Sequence, residues 1–420
     1  MMQLKRTVAS VVGGLWGDEP SGSGFDVTVV RVADFNYRQL TLKASGTRRS
    51  IQTSLIRTRA LRFGDLLLEK SGGGERTNVG RVVRWERDEQ AITSNFVSVL
   101  RPARGFNSRY LAYLHRALYV EGYASACTKQ NTGIQNLDVG AYLATEVPHL
   151  PFPQQAAVAA FLDRECRVIE ELVEVVRSYG QLSANQAVAR FAELTDGAAR
   201  GRISYRFDVQ LGKMLDEKRF EAGNASRYLR NANVQWDRIE LGDLKTMSFS
   251  ESDRKRFSLE PGDLLVCEGG QPGRCAVWGG QAADIYFQKA LMRVRPRNSD
   301  SPRFLMWALR LASERGDFAA DGTGSTILHL PAERLAATRV PMLDWDAQSA
   351  ITTEVDAIAR RGERMREEVE GLVQRLDEYR DALITEAVTG RLDVTKLSES
   401  RMAESLAAVR EGERPEVLSS

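Results

Sequence analysis

Gly64-Asp65-Leu66-Leu67 recurs 198 residues further on as Gly262-Asp263-Leu264-Leu265, and that echo decides how the 420-residue chain is organised. Working outward, Leu100-Arg101-Pro102 returns as Val294-Arg295-Pro296 and Arg109-Tyr110-Leu111 as Arg303-Phe304-Leu305, both at an offset of 194. At 193, Ile134 and Leu137 align with Ile327 and Leu330, Val147-Pro148 with Val340-Pro341, Gln155 with Gln348, Asp163 with Asp356, and Glu193 and Gly197 with Glu386 and Gly390. A drift from 198 to 193 is what small loop deletions leave in a duplicated unit. The period is too long for a solenoid repeat, so a whole domain and the segment trailing it occur twice.

Each copy has two parts. The first is rich in glycine and in β-branched residues between turn signals, as in residues 26–34 (DVTVVRVAD), 79–85, 95–100, 263–267 and 290–294, which predict strands. Short helices are expected at residues 109–119 and 303–312. The second part reads as a long helix, with Pro151 and Pro153 at the head of one and Pro341, Asp344 and Asp346 before the other. Along the second, Ile351, Val355, Ile358, Gly362, Met365, Val369, Leu372, Leu376, Tyr379 and Leu383 alternate steps of four and three, the spacing of a coiled-coil seam. The matching stripe of the first is less regular: Val158, Leu162, Ile169, Leu172, Val176 and Tyr179, with Phe161, Leu182, Phe191 and Leu194 beside it.

Two such helices of matched length predict an antiparallel pair within one chain, about 60 Å long at about 1.5 Å per residue. The duplicated globular parts are then expected at opposite ends of a rigid spacer, related by an approximate two-fold axis. B-DNA presents equivalent groove faces about 34 Å apart. Two basic domains on such a ruler suit a split site, and their divergence predicts unlike half-sites.

Net charge is only +2, but it is segregated. Residues 1–150 hold 20 basic against 13 acidic side chains and residues 201–340 hold 22 against 18, whereas residues 151–200 hold 5 against 7 and residues 341–420 hold 11 against 18. The two basic blocks fit a polyanionic partner. At 43% hydrophobic and 27% charged residues the chain is of the soluble globular class. No apolar run approaches the roughly 20 residues of a membrane helix. Lys5 and Arg6 precede an apolar run, but glycines break it and no cleavage site follows, so a first strand is expected there rather than a leader. Cys127, Cys166, Cys267 and Cys275 form no C-x-x-C pair, and His115, His149 and His329 stand apart. Reduced thiols in a cytoplasmic protein, and no metal site, are the expectation.

Several segments resemble type I restriction–modification specificity subunits. In the second copy these are residues 228–234 (YLRNANV), 261–278 (PGDLLVCEGGQPGRCAVW), 324–330 (GSTILHL) and 380–393 (RDALITEAVTGRLD). In the first they are residues 64–70 (GDLLLEK), 132–137 (TGIQNL) and 151–163 (PFPQQAAVAAFLD). The resemblance covers nearly all of residues 1–395. It implies an α+β protein in which two α/β target-recognition domains in pseudo-two-fold repeat, residues 1–150 and 199–340, are separated by two long antiparallel coiled-coil helices, residues 151–198 and 341–395. Residues 396–420 lie outside it and read as a polar tail. It further implies a non-catalytic subunit that binds double-stranded DNA and docks methyltransferase subunits, two by expectation, and motor–nuclease subunits. This chain itself would bind no cofactor. S-adenosylmethionine would sit on the methyltransferase, and ATP and Mg2+ on the motor.

Base-reading side chains are expected among Arg, Lys, Asn and Gln on the recognition domains, because these pair with guanine and adenine edges. The candidates are Arg48, Arg49, Arg57, Arg59, Lys70, Arg76, Lys129, Gln130 and Asn131 in the first domain, and Arg254, Lys255, Arg256, Gln271, Arg274 and Lys289 in the second. Glu367, Glu368, Glu370, Asp377, Glu378 and Asp381 form an acidic block on the second helix, expected to face protein partners. Other readings weaken on inspection. The glycine clusters at 72–74 and 269–270 lack a P-loop pattern. The run Asp65…Glu69-Lys70 echoes a nuclease cluster, but the second copy has Cys267-Glu268-Gly269 there. No Asn-Pro-Pro-[Tyr/Phe] segment marks an adenine-methyltransferase centre. A related phage-defence or type II-like recognition subunit, and a protein-only coiled-coil scaffold, remain as alternatives.

Overall fold

The computed structural model describes the chain except residues 21, 23–25, 44–45, 74–76, 132, 216–224, 319–328 and 395–420. It mixes strands and helices and divides into two units. The first comprises Met1–Arg177 with the chain from Glu370 on, and the second Ser178–Val369. The division cuts both long helices, Phe152–Leu194 and Trp345–Val388, so each unit owns half of each.

The first unit holds a four-stranded sheet in the order Val8–Gly13, Val97–Pro102, Leu66–Glu69, Val82–Arg84. The second holds its counterpart, Phe207–Leu211, Leu291–Pro296, Leu264–Cys267, Cys275–Val277, with the same order and the same antiparallel pairing. Each also has a three-stranded sheet whose middle strand, Asp26–Val30 or Ala225–Leu229, pairs antiparallel on one side and parallel on the other. The first unit adds a small sheet of Thr128–Asn131, Ile134–Leu137 and Ser71–Gly72. In the second, the matching stretch falls largely outside the described residues, and a bridge between Gly269 and His329 marks its edge.

The quoted tetrapeptide recurs because it builds a corner. Gly64 and Gly262 sit at φ +89° and +98°, a region that favours glycine. The next residue then turns inward: Asp65 takes two hydrogen bonds from Arg101 at 2.8 and 3.0 Å, and Asp263 two from Arg295 at 2.6 and 2.7 Å. Both aspartates are about 1% exposed. The predicted strand 26–34 stops at Val30 because the Asp34 carboxylate folds back to accept the Arg31 amide at 2.8 Å, closing a 3-10 turn. Asn233 does the same to Arg230 at 2.9 Å. The helices Ser108–Val120 and Pro302–Glu314 begin on the capping side chains of Asn107 and Ser301.

In each unit one end of one long helix lies beside the opposite end of the other. In the first, Val158, Phe161 and Leu162 share a core with Ile384, Ala387 and Val388. In the second, Ala187, Val188 and Phe191 share one with Ile351, Val355 and Ile358. Burial of each such side chain is worth roughly 1.5–3 kcal/mol. Of the expected seam, Val355, Gly362 and Leu376 are buried. Around its last turns the pattern departs from it: Tyr379 is 48% exposed, while Val373, Arg380, Ile384 and Ala387 are buried. A straight helix drifts about 20° per heptad against a seven-residue repeat, and here the drift turns the stripe toward Tyr110, whose hydroxyl donates to the Val388 carbonyl at 2.9 Å.

Candidate nucleic-acid interface

Four of the sequence candidates, Arg48, Arg49, Arg57 and Arg59, lie on one piece of local structure: the edge strand Thr47–Ser50 followed by the helix Thr53–Arg59. Arg254, Lys255 and Arg256 lie on its counterpart, the helix Glu251–Arg256 after the edge strand Lys245–Ser248. The two segments match at an offset of 198, which places Lys255 where the first unit has Arg57. Charge alone marks both groups in the sequence without showing that they are the same element. Each helix carries its cations in its last turn, where the helix dipole favours them.

The structure sorts these cations by what already holds them. Arg49 stacks over Trp16 at 4.3 Å and pairs with Glu19, so it is part of the frame. Arg48 donates to the Asp26 carbonyl at 2.6 Å. Arg59 is half-buried, donates to Thr58 and has no acceptor for its buried Nε among the described residues. Arg57 is exposed and has no partner among the described residues. In the second unit Arg254 lies 5.7 Å from the Tyr286 ring and Arg256 5.3 Å from Phe257. Lys255 pairs with Glu251 at 3.0 Å, but both side chains are exposed, and such a pair contributes at most about 1 kcal/mol.

The loop candidates divide the same way. Lys129, Gln130 and Asn131 form the strand that pairs in register with Asn136, Gln135 and Ile134. Gly133 at φ +83° allows the turn between them. Lys129 is exposed and pairs loosely with Asp138 at 3.4 Å. Lys70 is half-buried at the mouth of the same sheet, where its carbonyl accepts the Leu137 amide at 2.8 Å. Arg76 and the side chains of Gln130 and Asn131 lie outside the described residues. Gln271 is exposed on a tight turn. Arg274 points inward, donating to the Asn231 carbonyl at 3.0 Å with a buried, unpaired Nε. Lys289 is exposed, and its amide donates to the Lys213 carbonyl at 2.8 Å.

Two cations escaped the sequence reading. Arg227 stands exposed in the middle strand opposite Thr246, with no partner among the described residues. Lys213 clamps the basic helix, donating to Asp253 at 2.5 Å and to the Ser248 carbonyl at 2.7 Å. Burial raises the Asp253 pKa, but the bonds from Lys213 and Ser250 outweigh it and hold the carboxyl below its ordinary value. A lone arginine in an alternating strand carries no charge cluster to flag it, and the partners of Lys213 lie 35 and 40 residues away.

Asp65 is consumed by Arg101, and fully buried Glu69 by Arg81 at 2.9 Å, so the carboxylates that echoed a nuclease hold the frame. No group of His, Cys, Asp and Glu suited to a metal occurs among the described residues. Burial pushes the Cys127, Cys166, Cys267 and Cys275 thiols up, Cys166 to about 12. Among the described residues no helix is long and apolar enough to cross a membrane. Of the acidic block, Glu367, Glu368, Glu370 and Glu378 are exposed. Asp381 instead accepts two bonds from Arg116, at 2.7 and 3.0 Å, and Asp377 pairs with Arg38 at 2.9 Å. Those two fasten the second helix to the first unit and do not belong with the exposed set.

No protein-family model matches the chain. The EcoKI type I restriction enzyme specificity subunit of Escherichia coli K12 is 22% identical over 221 residues, 48% of this chain and 46% of that protein. The chain thus matches about half the length of that curated relative. A chain solved in work on complex assembly and conformational transition of the type I R-M system aligns over 93% of this chain and 97% of its own, with a TM-score of 0.69 at 15% identity. The fold is that of the chain solved in that work. The HsdS subunit of Thermoanaerobacter tengcongensis aligns over 93% of this chain and 96% of its own, with a TM-score of 0.49 at 15% identity.

Proposed function

We propose that this chain is the DNA sequence-recognition subunit of a type I restriction–modification enzyme, and that it directs catalytic partners without catalysing anything itself. One observation carries the reading: a basic edge strand and helix occur twice, once in each unit, on duplicated frames. Arg57, Lys129 and Arg48 are the contacts proposed for the first unit, and Lys255, Lys289, Arg227 and Gln271 for the second. Most of their bonds go to phosphates, which set register, and fewer go to base edges. Because the frames match and the exposed cations other than Arg57 and Lys255 do not, the two units read unlike half-sites of a bipartite, asymmetric sequence. The paired helices, related by a pseudo-two-fold axis, set the unread gap between them.

Methyltransferase subunits dock on the helical parts, with the exposed carboxylates Glu367, Glu368, Glu370 and Glu378 among their contacts. These subunits supply S-adenosylmethionine, and a motor–nuclease supplies ATP and Mg2+ chemistry. The test is methylation of a random-sequence DNA library by the reconstituted complex. A single split motif in the products is expected. Products without sequence preference contradict the reading, and a complex with no salt-sensitive DNA affinity points to a protein-only scaffold.

A further inference from the structure

Phe152 and Trp345 stand 193 residues apart, at equivalent positions of the duplication, each in the first turn of its long helix. Both are about half exposed, 51% and 50%. The other exposed aromatics of these helices are not duplicated: Tyr179 matches Leu372, and Tyr379 matches Gln186. A single exposed ring needs no explanation. An exposed aromatic at the same position of both copies, on otherwise diverged sequence, does.

The likeness continues along one helix face. Steps of four and seven keep residues 152, 156, 160 and 167 on one side of the first helix, and 345, 349, 353 and 360 on one side of the second. These are Ala156, Ala160 and Arg167 in the first, and Ser349, Thr353 and Arg360 in the second. Ala156 is half-buried and the other five are exposed. Neither arginine has a partner among the described residues. Each strip therefore runs aromatic, small, small, arginine. Its first turn is held firmly. Buried Gln155 accepts the Asn107 amide at 2.9 Å and donates to the Leu150 carbonyl at 2.8 Å. Buried Gln348 accepts the Ser301 amide at 2.8 Å and donates to the Leu343 carbonyl at 2.9 Å.

We propose that the two strips each receive one copy of the same protein partner. The partner offers an apolar pocket for the ring, a surface that packs closely over the two small residues, and a carboxylate for the arginine. Equivalent surfaces take equivalent occupants, and the cation at the far end of each strip selects an acidic contact. The proposal rests on the reading of the chain as a specificity subunit and names where each methyltransferase subunit grips it.

Native mass spectrometry of the full chain, co-expressed with its methyltransferase subunit, tests this. The wild-type complex carries two copies. Phe152→Ala and Trp345→Ala each reduce it to one copy, and the double variant to none. Arg167→Glu or Arg360→Glu weakens its own site at least tenfold. Because both rings are exposed, the melting curves of the free variants should match the wild type, which separates lost docking from lost folding. Variants that keep two copies at wild-type affinity, or a wild type that carries only one, overturn the docking inference and leave the DNA reading intact. A wild type that binds no methyltransferase contradicts the underlying reading instead.

Discussion

Arg109 in the first unit reaches Asp163 at 2.7 Å, and Arg303 in the second reaches Asp356 at 2.9 Å. Tyr113 donates to the same Asp163 at 3.0 Å, and at the matching position Trp307 donates to Asp356 at 2.8 Å. One turn on, the units part. Arg116 grips Asp381 of the second long helix, whereas its equivalent Arg310 lies between the rings of Trp236 and Trp307. His115 donates to or accepts from Tyr142 at 2.7 Å, where the second unit has buried Leu309 and Leu335. The comparison separates two kinds of residue. The donors that hold Asp163 and Asp356 are kept in chemistry even when the side chain changes. Those one turn further on and in the private core of each unit diverge.

The largest expected effect tests the shared frame. Asp65→Ala leaves Arg101 without a carboxylate, and Asp263→Ala leaves Arg295 only the exposed Glu260 at 2.7 Å, and each should cost roughly 3–5 kcal/mol in urea denaturation. A large loss in one unit and none in the other would break the equivalence.

The His115 and Leu309 difference predicts pH dependence in the first unit alone. Burial lowers the His115 pKa to about 4 from an ordinary 6.5. The unfolded state then binds more protons between those values. Stability is full above pH 6.5 and falls as the pH drops toward 4, by about 3 kcal/mol. Replacing the pair by its second-unit counterparts, His115→Leu with Tyr142→Leu, should flatten the urea midpoint across that window. An unchanged slope would assign the effect to other groups.

Gln155→Ala and Gln348→Ala should each cost about 1–3 kcal/mol, since one strands a part-buried backbone amide and the other a buried one. Matching losses in thermal melts would sharpen the parallel. The smallest effect concerns the reading cations: Arg57→Ala and Lys255→Ala should each lower the slope of log affinity against log salt by about one. A slope unchanged in both would remove these helices from the DNA contact.

Much of this was legible in the sequence, and the gaps have physical causes. Short motifs such as Gly-Asp-Leu-Leu survive duplication because a corner glycine and a buried aspartate tolerate few substitutes, so the repeat could be seen without coordinates. The long helices followed from period. Which end of a stripe stays buried did not, because Tyr379 leaves the seam only when tertiary packing turns the helix. Asp377 and Asp381 looked like free charge because their partners, Arg38 and Arg116, lie hundreds of residues earlier. The match of Arg57 with Lys255 was hidden by the unlike residues around them.

Exchanging one of the two proposed recognition domains tests their independence most directly. The second reader, residues 199–340, would be replaced by that of another specificity subunit, and methylated positions mapped across a genome. Change in one half of the recognised motif, with the other half retained, is the predicted result. A motif that stays wholly unchanged, or changes in both halves at once, would contradict it.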